Sequence, residues 1–226
     1  MSPIDNATAH SSSEYDQSVR KSIPYYDSFH EAAIDLVAVC KANPSIWIDT
    51  GCGTGTLVEK AYRLFPETRF FLSDPSPAML KIAASKLSGR DRIVILPPVE
   101  TKDMFIEEEA DVITAIQSLH YQKPAERVRS VQNCYRLLKS GGVFVTFENI
   151  RPLTKRGIEI GKANWRRYEV SAGKSEEEAA KHIERFGVEY FPLTVEEHLD
   201  LLRRCNFSTV EILWYSYMQA GFYGMK

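Results

Sequence analysis

Short apolar runs and amphipathic stretches alternate through the middle of the chain. The runs fall at Ile46 to Ile48, Arg69 to Leu72, Ile93 to Leu96, Asp111 to Ile116 and Val143 to Phe147. Runs of this length between turn residues predict buried strands, and their alternation with helical periodicity predicts a parallel sheet covered on both faces. Ahead of the first run, Ser28-Phe29-His30-Glu31 has the spacing of a capping box and predicts a helix to Cys40. Ser76-Pro77 offers an N-cap followed by a proline at the first helical position, and Ser140-Gly141-Gly142 is expected to stop the helix carrying Val131 to Leu138.

After Glu148 the pattern changes. Arg151 to Gly187 reads as two charged amphipathic helices with no strand between them, a lid-like insertion at about 151–190. Thr194-Val195-Glu196-Glu197 then opens a helix to Arg204, and apolar segments at Thr209 to Tyr217 and Ala220 to Met225 predict a closing hairpin. The polar, serine-rich residues 1–14 are expected to be a flexible N-terminus, with residues 15–226 forming a single domain.

Composition narrows the partners. A 226-residue chain with 44% hydrophobic residues can bury a substantial core, and its formal net charge of −2 provides no general attraction to nucleic acid or to an anionic membrane. No stretch of eighteen apolar residues occurs, so a cytoplasmic protein acting on a small molecule is expected, and a homodimer stays open. Cys40, Cys52, Cys134 and Cys205 are scattered, without CxxC pairs or histidines at zinc spacing; reduced thiols and no metal site are expected.

The densest chemistry lies at Asp49-Thr50-Gly51-Cys52-Gly53-Thr54-Gly55, where a strand turns into a helix. Three glycines permit positive φ and close approach of a ligand to the backbone. The spacing is G-x-G-x-G, with Thr56 where a dinucleotide fingerprint needs its third glycine. An acid two residues before the first glycine suits a ligand with an ammonium group better than one with a pyrophosphate. Asp74, at the end of the second strand, comes beside this turn in a parallel sheet, where its carboxylate can accept hydrogen bonds from the vicinal hydroxyls of a ribose.

With these residues the chain resembles the class I methyltransferases that use S-adenosylmethionine. The match runs through D-x-G-x-G-x-G at Asp49 to Gly55, Asp74, the Asp111 to His120 segment, and Leu137-Leu138-Lys139-Ser140-Gly141-Gly142. The resemblance implies an α/β fold, a Rossmann-like doubly wound seven-stranded sheet whose last strand is antiparallel, with a helical lid after the fifth strand. It implies S-adenosylmethionine as cofactor and S-adenosylhomocysteine as product. Asp49 and the Gly51, Cys52, Gly53 and Gly55 backbone would hold the methionine moiety, and Asp74 the ribose. Pro75 and Met79 would flank the adenine, Glu100 or Thr101 would meet its edge, and Gln117 would lie near the methionine part. The third-strand segment departs from the usual pattern, with Pro98-Val99-Glu100 in place of a Gly-Asp pair.

Tyr15-Asp16-x-x-Val19 followed by Ile23-Pro24-Tyr25-Tyr26 is similar to the N-terminal segment of carboxy-S-adenosylmethionine synthases and related small methyltransferases. By that likeness Tyr26 would contact the cofactor, and Arg20 or Lys21 could pair with its carboxylate. The synthases also use a late arginine for the extra carboxylate of their product, for which Arg185 is the nearest candidate.

On the acceptor side, His120 is the best-placed titratable group and the candidate base, with a structural histidine as the alternative. Arg151 to Glu169 carries six basic residues against two acids, which fits an anionic acceptor or a solvated helix face. Trp165 and Tyr168 could stack on an aromatic acceptor or anchor the lid. Three functions stay open: methyl transfer to a small molecule by direct displacement, a carboxy-S-adenosylmethionine synthase-like activity, and a non-catalytic cofactor-binding regulatory protein.

Overall fold

The computed structural model of the chain describes residues 5–41 and 43–226. Seven strands form one sheet in the order β3-β2-β1-β4-β5-β7-β6: β1 Ile46–Thr50, β2 Arg69–Ser73, β3 Ile93–Ile95, β4 Ala110–Ile116, β5 Leu138–Asn149, β6 Thr209–Ser216 and β7 Gln219–Met225. The first five run parallel, and β7 enters antiparallel between β5 and β6. The order reverses direction at β1, between β2 and β4, so a crevice opens at the carboxyl ends of these strands.

Alternation along each strand feeds two cores. Trp47, Phe70, Leu72, Val112, Val145 and Phe147 face α1 (Tyr15–Ser22), α2 (Tyr26–Cys40), α3 (Thr56–Ala61) and α4 (Pro77–Lys86). Ile46, Ile48, Phe71, Ile113 and Phe144 face α5 (Pro124–Leu137) and α8 (Val195–Arg204). The insertion forms α6 (Lys155–Ser171) and α7 (Glu176–Glu184). Trp165 of α6 is fully buried and donates its indole N–H to the carbonyl of Ser22 at 2.6 Å, while the Tyr168 hydroxyl donates to the carbonyl of Arg20. Both aromatics therefore tie the insertion to α1.

Three expectations are corrected. The helix expected from Ser28 begins at Tyr26, with Tyr25 at φ 57° ahead of it. The Gly141-Gly142 pair does not end α5, which stops at Leu137; it lies in the irregular start of β5, where a Cβ on Gly142 would meet the Leu138 side chain and the Ala110 carbonyl. Residues 5–14 are held rather than loose: the Asp5 carboxylate accepts from the Ser12 backbone and hydroxyl, and the Ser76 hydroxyl donates to the Asp5 carbonyl. Residues 1–4 lie outside the described part of the chain.

On β7, Gly221 pairs with Phe147, and a Cβ there would sit 2.5 Å from the buried Phe147 ring, which stacks in turn on Phe29. Overpacking of this kind costs about 1–3 kcal/mol. Gly221→Ala is expected to lower stability by that amount in urea unfolding, and an unchanged midpoint would show that β7 does not press on Phe147.

Candidate functional site

The three loop glycines answer to three different demands. Gly51 (φ 63°) lies under Ser118, whose Cβ would be 2.3 Å from an added methyl, and Gly55 (φ 76°) packs against Leu87 and Ala83 as it caps α3. Gly53 (φ 54°) has nothing within 4 Å of a built Cβ, so space for a ligand lies beside it. The loop is braced from within. The amide of Cys52 donates to the Ser73 carbonyl, that of Gly55 to the Cys52 carbonyl, and that of Gly53 to the Asp74 carboxylate at 2.9 Å.

A cleft enclosing about 220 Å³ opens over this loop. Of the twelve cofactor-site residues expected from the sequence, Tyr26, Asp49, Gly51, Cys52, Gly53, Asp74, Pro75, Met79, Glu100, Thr101 and Gln117 all line it. Gly55 does not; its part is the turn into α3. The cleft also takes in residues that no motif pointed to, among them His30, Ser118, Lys102 and Glu126, and the strap residues Asn6, Ala7 and Thr8. None of residues 151–190 lines it. The insertion meets residues of the cleft wall from behind: the Arg185 guanidinium donates to the Ala7 carbonyl at 2.9 Å, and the Tyr190 ring packs edge-on against Tyr121.

Two carboxylates dominate the electrostatics. Asp49 is 2% exposed, accepts a hydrogen bond from the Thr114 hydroxyl at 2.7 Å and has no cation beside it. Burial pushes its carboxyl up to about 7, with the Thr114 bond pulling down and the Asp74 charge adding to the rise. Asp74 is also raised by burial, against the amide bonds from Ser76 and Gly53. Ser76 is the N-cap of α4, so Asp74 is free of that task and keeps lone pairs for the cleft. The Cys52 thiol is driven up by burial and by both acids, which makes it no nucleophile at neutral pH. At the opposite end, the Thr101 hydroxyl is tied to Thr50 at 2.7 Å, while Glu100 stays in the wall.

Gln117 sits at φ 54°, an uncommon conformation for a residue with a side chain, and its side-chain nitrogen is buried without a partner. Backbone strain at a cleft wall, together with an unsatisfied donor, marks a position held for a ligand.

His120 is not a cleft residue, which removes it as the candidate base. Its ring is fully buried, with Nδ1 2.7 Å from Glu148 Oε2 and Nε2 3.2 Å from the Asn149 amide. Burial holds the imidazole below its ordinary range despite the carboxylate, and Glu148, although burial opposes its ionisation, is kept ionised by the His120 bond. A neutral ring thus donates from Nδ1 and accepts at Nε2. Arg127 adds bonds to the Leu119, His120, Gln122 and Phe191 carbonyls. This network pins the turn that carries Ser118 and Tyr121 into the cleft. Arg20 also lies elsewhere: it is paired with Asp27 at 2.7 Å on the surface.

Comparison with known proteins agrees with this architecture. The family model described as a methyltransferase domain matches residues 48–144. The chain is 27% identical over 214 residues to the carboxy-S-adenosyl-L-methionine synthase of Helicobacter hepaticus, covering 89% of this chain and 86% of that protein. It is 29% identical over 207 residues to the Wolinella succinogenes protein of the same name, covering 88% and 84%. Among solved structures it is similar to N-methyltransferase NodS from Bradyrhizobium japonicum in complex with S-adenosyl-L-homocysteine, at a TM-score of 0.62, 14% identity, and 92% and 91% coverage. It is also similar to human N-acetylserotonin methyltransferase in complex with S-adenosylmethionine, at 0.62 and 15%, where 95% of this chain spans 58% of the human enzyme. The sheet order, the glycine turn and these likenesses together define a Rossmann-like methyltransferase fold with a cofactor cleft. Residues 48–144 thus match a methyltransferase domain, and these likenesses support an enzyme of the class I S-adenosylmethionine-dependent methyltransferase type, with S-adenosylmethionine as its cofactor.

A buried carboxyl raised to about 7 favours the folded state below its ordinary pKa and loses that contribution as pH rises towards 7, because the unfolded chain ionises more readily. Asp49→Asn is therefore expected to stabilise the ligand-free protein at pH 8, by at most about 4 kcal/mol, and to change little at pH 4. Thermal unfolding at the two pH values measures the difference; equal effects at both would mean that Asp49 is not held against ionisation.

Proposed function

We propose that the protein transfers the methyl group of S-adenosylmethionine to a small, uncharged or cationic acceptor. The observation that carries this reading is the charge of the cleft. Among the described residues, Asp49, Asp74, Glu100 and Glu126 line it against a single lysine or arginine, Lys102, which lies 3.1 Å from Asp103 and 4.0 Å from Glu126. Such a wall attracts a sulfonium with an ammonium group and repels added negative charge. In this reading Asp49 takes the ammonium, Asp74 the ribose hydroxyls, and Pro75 and Met79 the faces of the adenine. Glu100 accepts from the adenine amino group, since the Thr101 hydroxyl is already engaged with Thr50.

The transfer is a displacement at carbon. The acceptor's lone pair forms the new bond as the carbon–sulfur bond breaks, the electron pair stays on sulfur in S-adenosylhomocysteine, and the acceptor's proton passes to solvent. Alignment of the two reactants can supply about 7–11 kcal/mol, so a dedicated base is not required. The walls left for the acceptor are Tyr15, Tyr26, Tyr121 and Gln122, with the strap above them. The arginines of α6 that suggested an anionic acceptor lie away from this cleft, and Arg166 is paired with Glu176 at 2.7 Å.

A second reading rests on Arg185. Its Nη1 is buried without a partner beside Tyr121 and the strap, a donor that could meet the extra carboxylate of a carboxylated cofactor. The relatives named as carboxy-S-adenosyl-L-methionine synthases give this reading weight.

Calorimetric titration with S-adenosylmethionine, S-adenosylhomocysteine and the carboxylated cofactor separates the two. The first two are expected to bind more tightly than the third; the reverse order, or carboxylated ligand retained on purification and seen by mass spectrometry, would favour the synthase reading. Asp74→Ala should weaken S-adenosylhomocysteine binding by about 1.5–3 kcal/mol. Because an ammonium ligand selects ionised Asp49, affinity should fall close to ten-fold as pH drops from about 7.5 to 6, with proton release on binding at the lower pH. An affinity independent of pH would count against the Asp49 assignment.

A further inference from the structure

His30 stands on the first turns of α2, and its ring lines the cofactor cleft although it is 2% exposed. Its Nδ1 is buried without a hydrogen-bond partner, and the ring packs edge-on against Tyr26 at 4.8 Å between centroids. A buried polar nitrogen with nothing to bond is destabilising, and such an atom on a residue of a cleft wall is a position that a ligand can satisfy. Burial, aided by the Lys60 charge, lowers the imidazole to about 3, against the opposing charge of Asp27. At neutral pH the ring is uncharged and presents one N–H and one lone pair.

If S-adenosylmethionine is the ligand, as proposed above, its methionine carboxylate needs donors near Asp49. The loop amides of Cys52, Gly53 and Gly55 are already bonded within the protein. Lys102 is the lysine or arginine among the cleft-lining residues, and it lies in the Thr101–Asp103 turn with Glu100 and Thr101. The cleft wall that holds Asp49 also carries the Ser118 hydroxyl, the Gln117 amide, which lacks a partner, the Tyr15 and Tyr26 hydroxyls, which bond to each other, and the His30 ring. The first turns of α2, with Tyr26 and His30, line the same cleft as Asp49 and Gly51.

We propose that His30, with Gln117, binds the methionine carboxylate of the cofactor through neutral hydrogen bonds, in place of a cationic side chain. His30 thereby fixes the amino-acid end of the donor while Asp49 takes its ammonium. The arrangement pairs the one anionic group of the ligand with uncharged donors inside an otherwise acidic cleft, and gives the unpartnered imidazole its acceptor.

The test compares two ligands that differ in this carboxylate alone: S-adenosylmethionine and decarboxylated S-adenosylmethionine. His30→Phe keeps the ring volume and removes both nitrogens, whereas His30→Gln keeps a donor. Calorimetry is expected to show His30→Phe weakening S-adenosylmethionine about ten-fold or more while changing the decarboxylated ligand less than about two-fold, with His30→Gln recovering part of the loss. Retained binding of the decarboxylated ligand certifies that the variant is folded. Equal losses for both ligands, or no loss for S-adenosylmethionine, would overturn the assignment to the carboxylate. Failure of the unsubstituted protein to bind either ligand would instead defeat the cofactor reading on which the proposal rests.

Discussion

A carboxylate removed from water with no cation beside it is unstable company for a protein core, and Asp49 is in that position. The surrounding structure holds it there. Its strand is the one at which the sheet order reverses, its neighbour on β4 supplies the Thr114 hydroxyl, and the loop that follows turns back at once through Gly51. Thr114 is shared with the Trp47 indole, so the hydroxyl that steadies the acid is itself fixed by the largest side chain of the central strand. A positively charged ligand completes what the fold leaves open.

The other polar groups of the cleft follow the same logic. Gln117 is kept in a left-handed conformation with an unbonded amide, and His30 carries an unbonded nitrogen behind Tyr26. By contrast, His120 has both ring nitrogens answered, by Glu148 and Asn149, in a network with Arg127 that does not line the cleft. Both histidines are buried and neutral, and they differ on two counts, whether protein atoms already answer the ring nitrogens and whether the ring lines the cleft; His198 has an unpartnered Nε2 but lies outside the cleft.

Much of this was legible in the sequence because the relevant signals are local. Asp49 and the glycine spacing lie within seven residues, and Asp74 follows a strand whose register with β1 is forced by two buried faces. The succession of strands along the chain and the closing hairpin could be read from apolar runs and caps, while the seven-stranded sheet with its antiparallel last strand came from the family resemblance. From sequence alone His120 stands between a base and a structural histidine, because a histidine at the mouth of a strand looks alike whether it faces the cleft or turns back into Glu148, a partner 28 positions away; the structure favours the structural alternative. The strap at residues 5–14 was invisible to composition: its serines and Asp5 bond to one another and to Ser76, contacts that polarity alone reads as solvent. Of the two roles open to Trp165 and Tyr168, stacking on an acceptor or anchoring the lid, the structure shows the second: both spend their hydrogen bonds on α1, and neither lines the cleft.

Recognition of the ligand depends on the ionisation of one side chain, Asp49, which can be followed directly. Carboxyl carbon NMR of Asp49, titrated between pH 4 and 9 with and without S-adenosylhomocysteine, should give a midpoint near 7 in the free protein and a markedly lower one in the complex. A midpoint near the ordinary carboxylate value in the free protein, or one that the ligand leaves unmoved, would contradict the claim that the fold holds Asp49 for a cationic ligand.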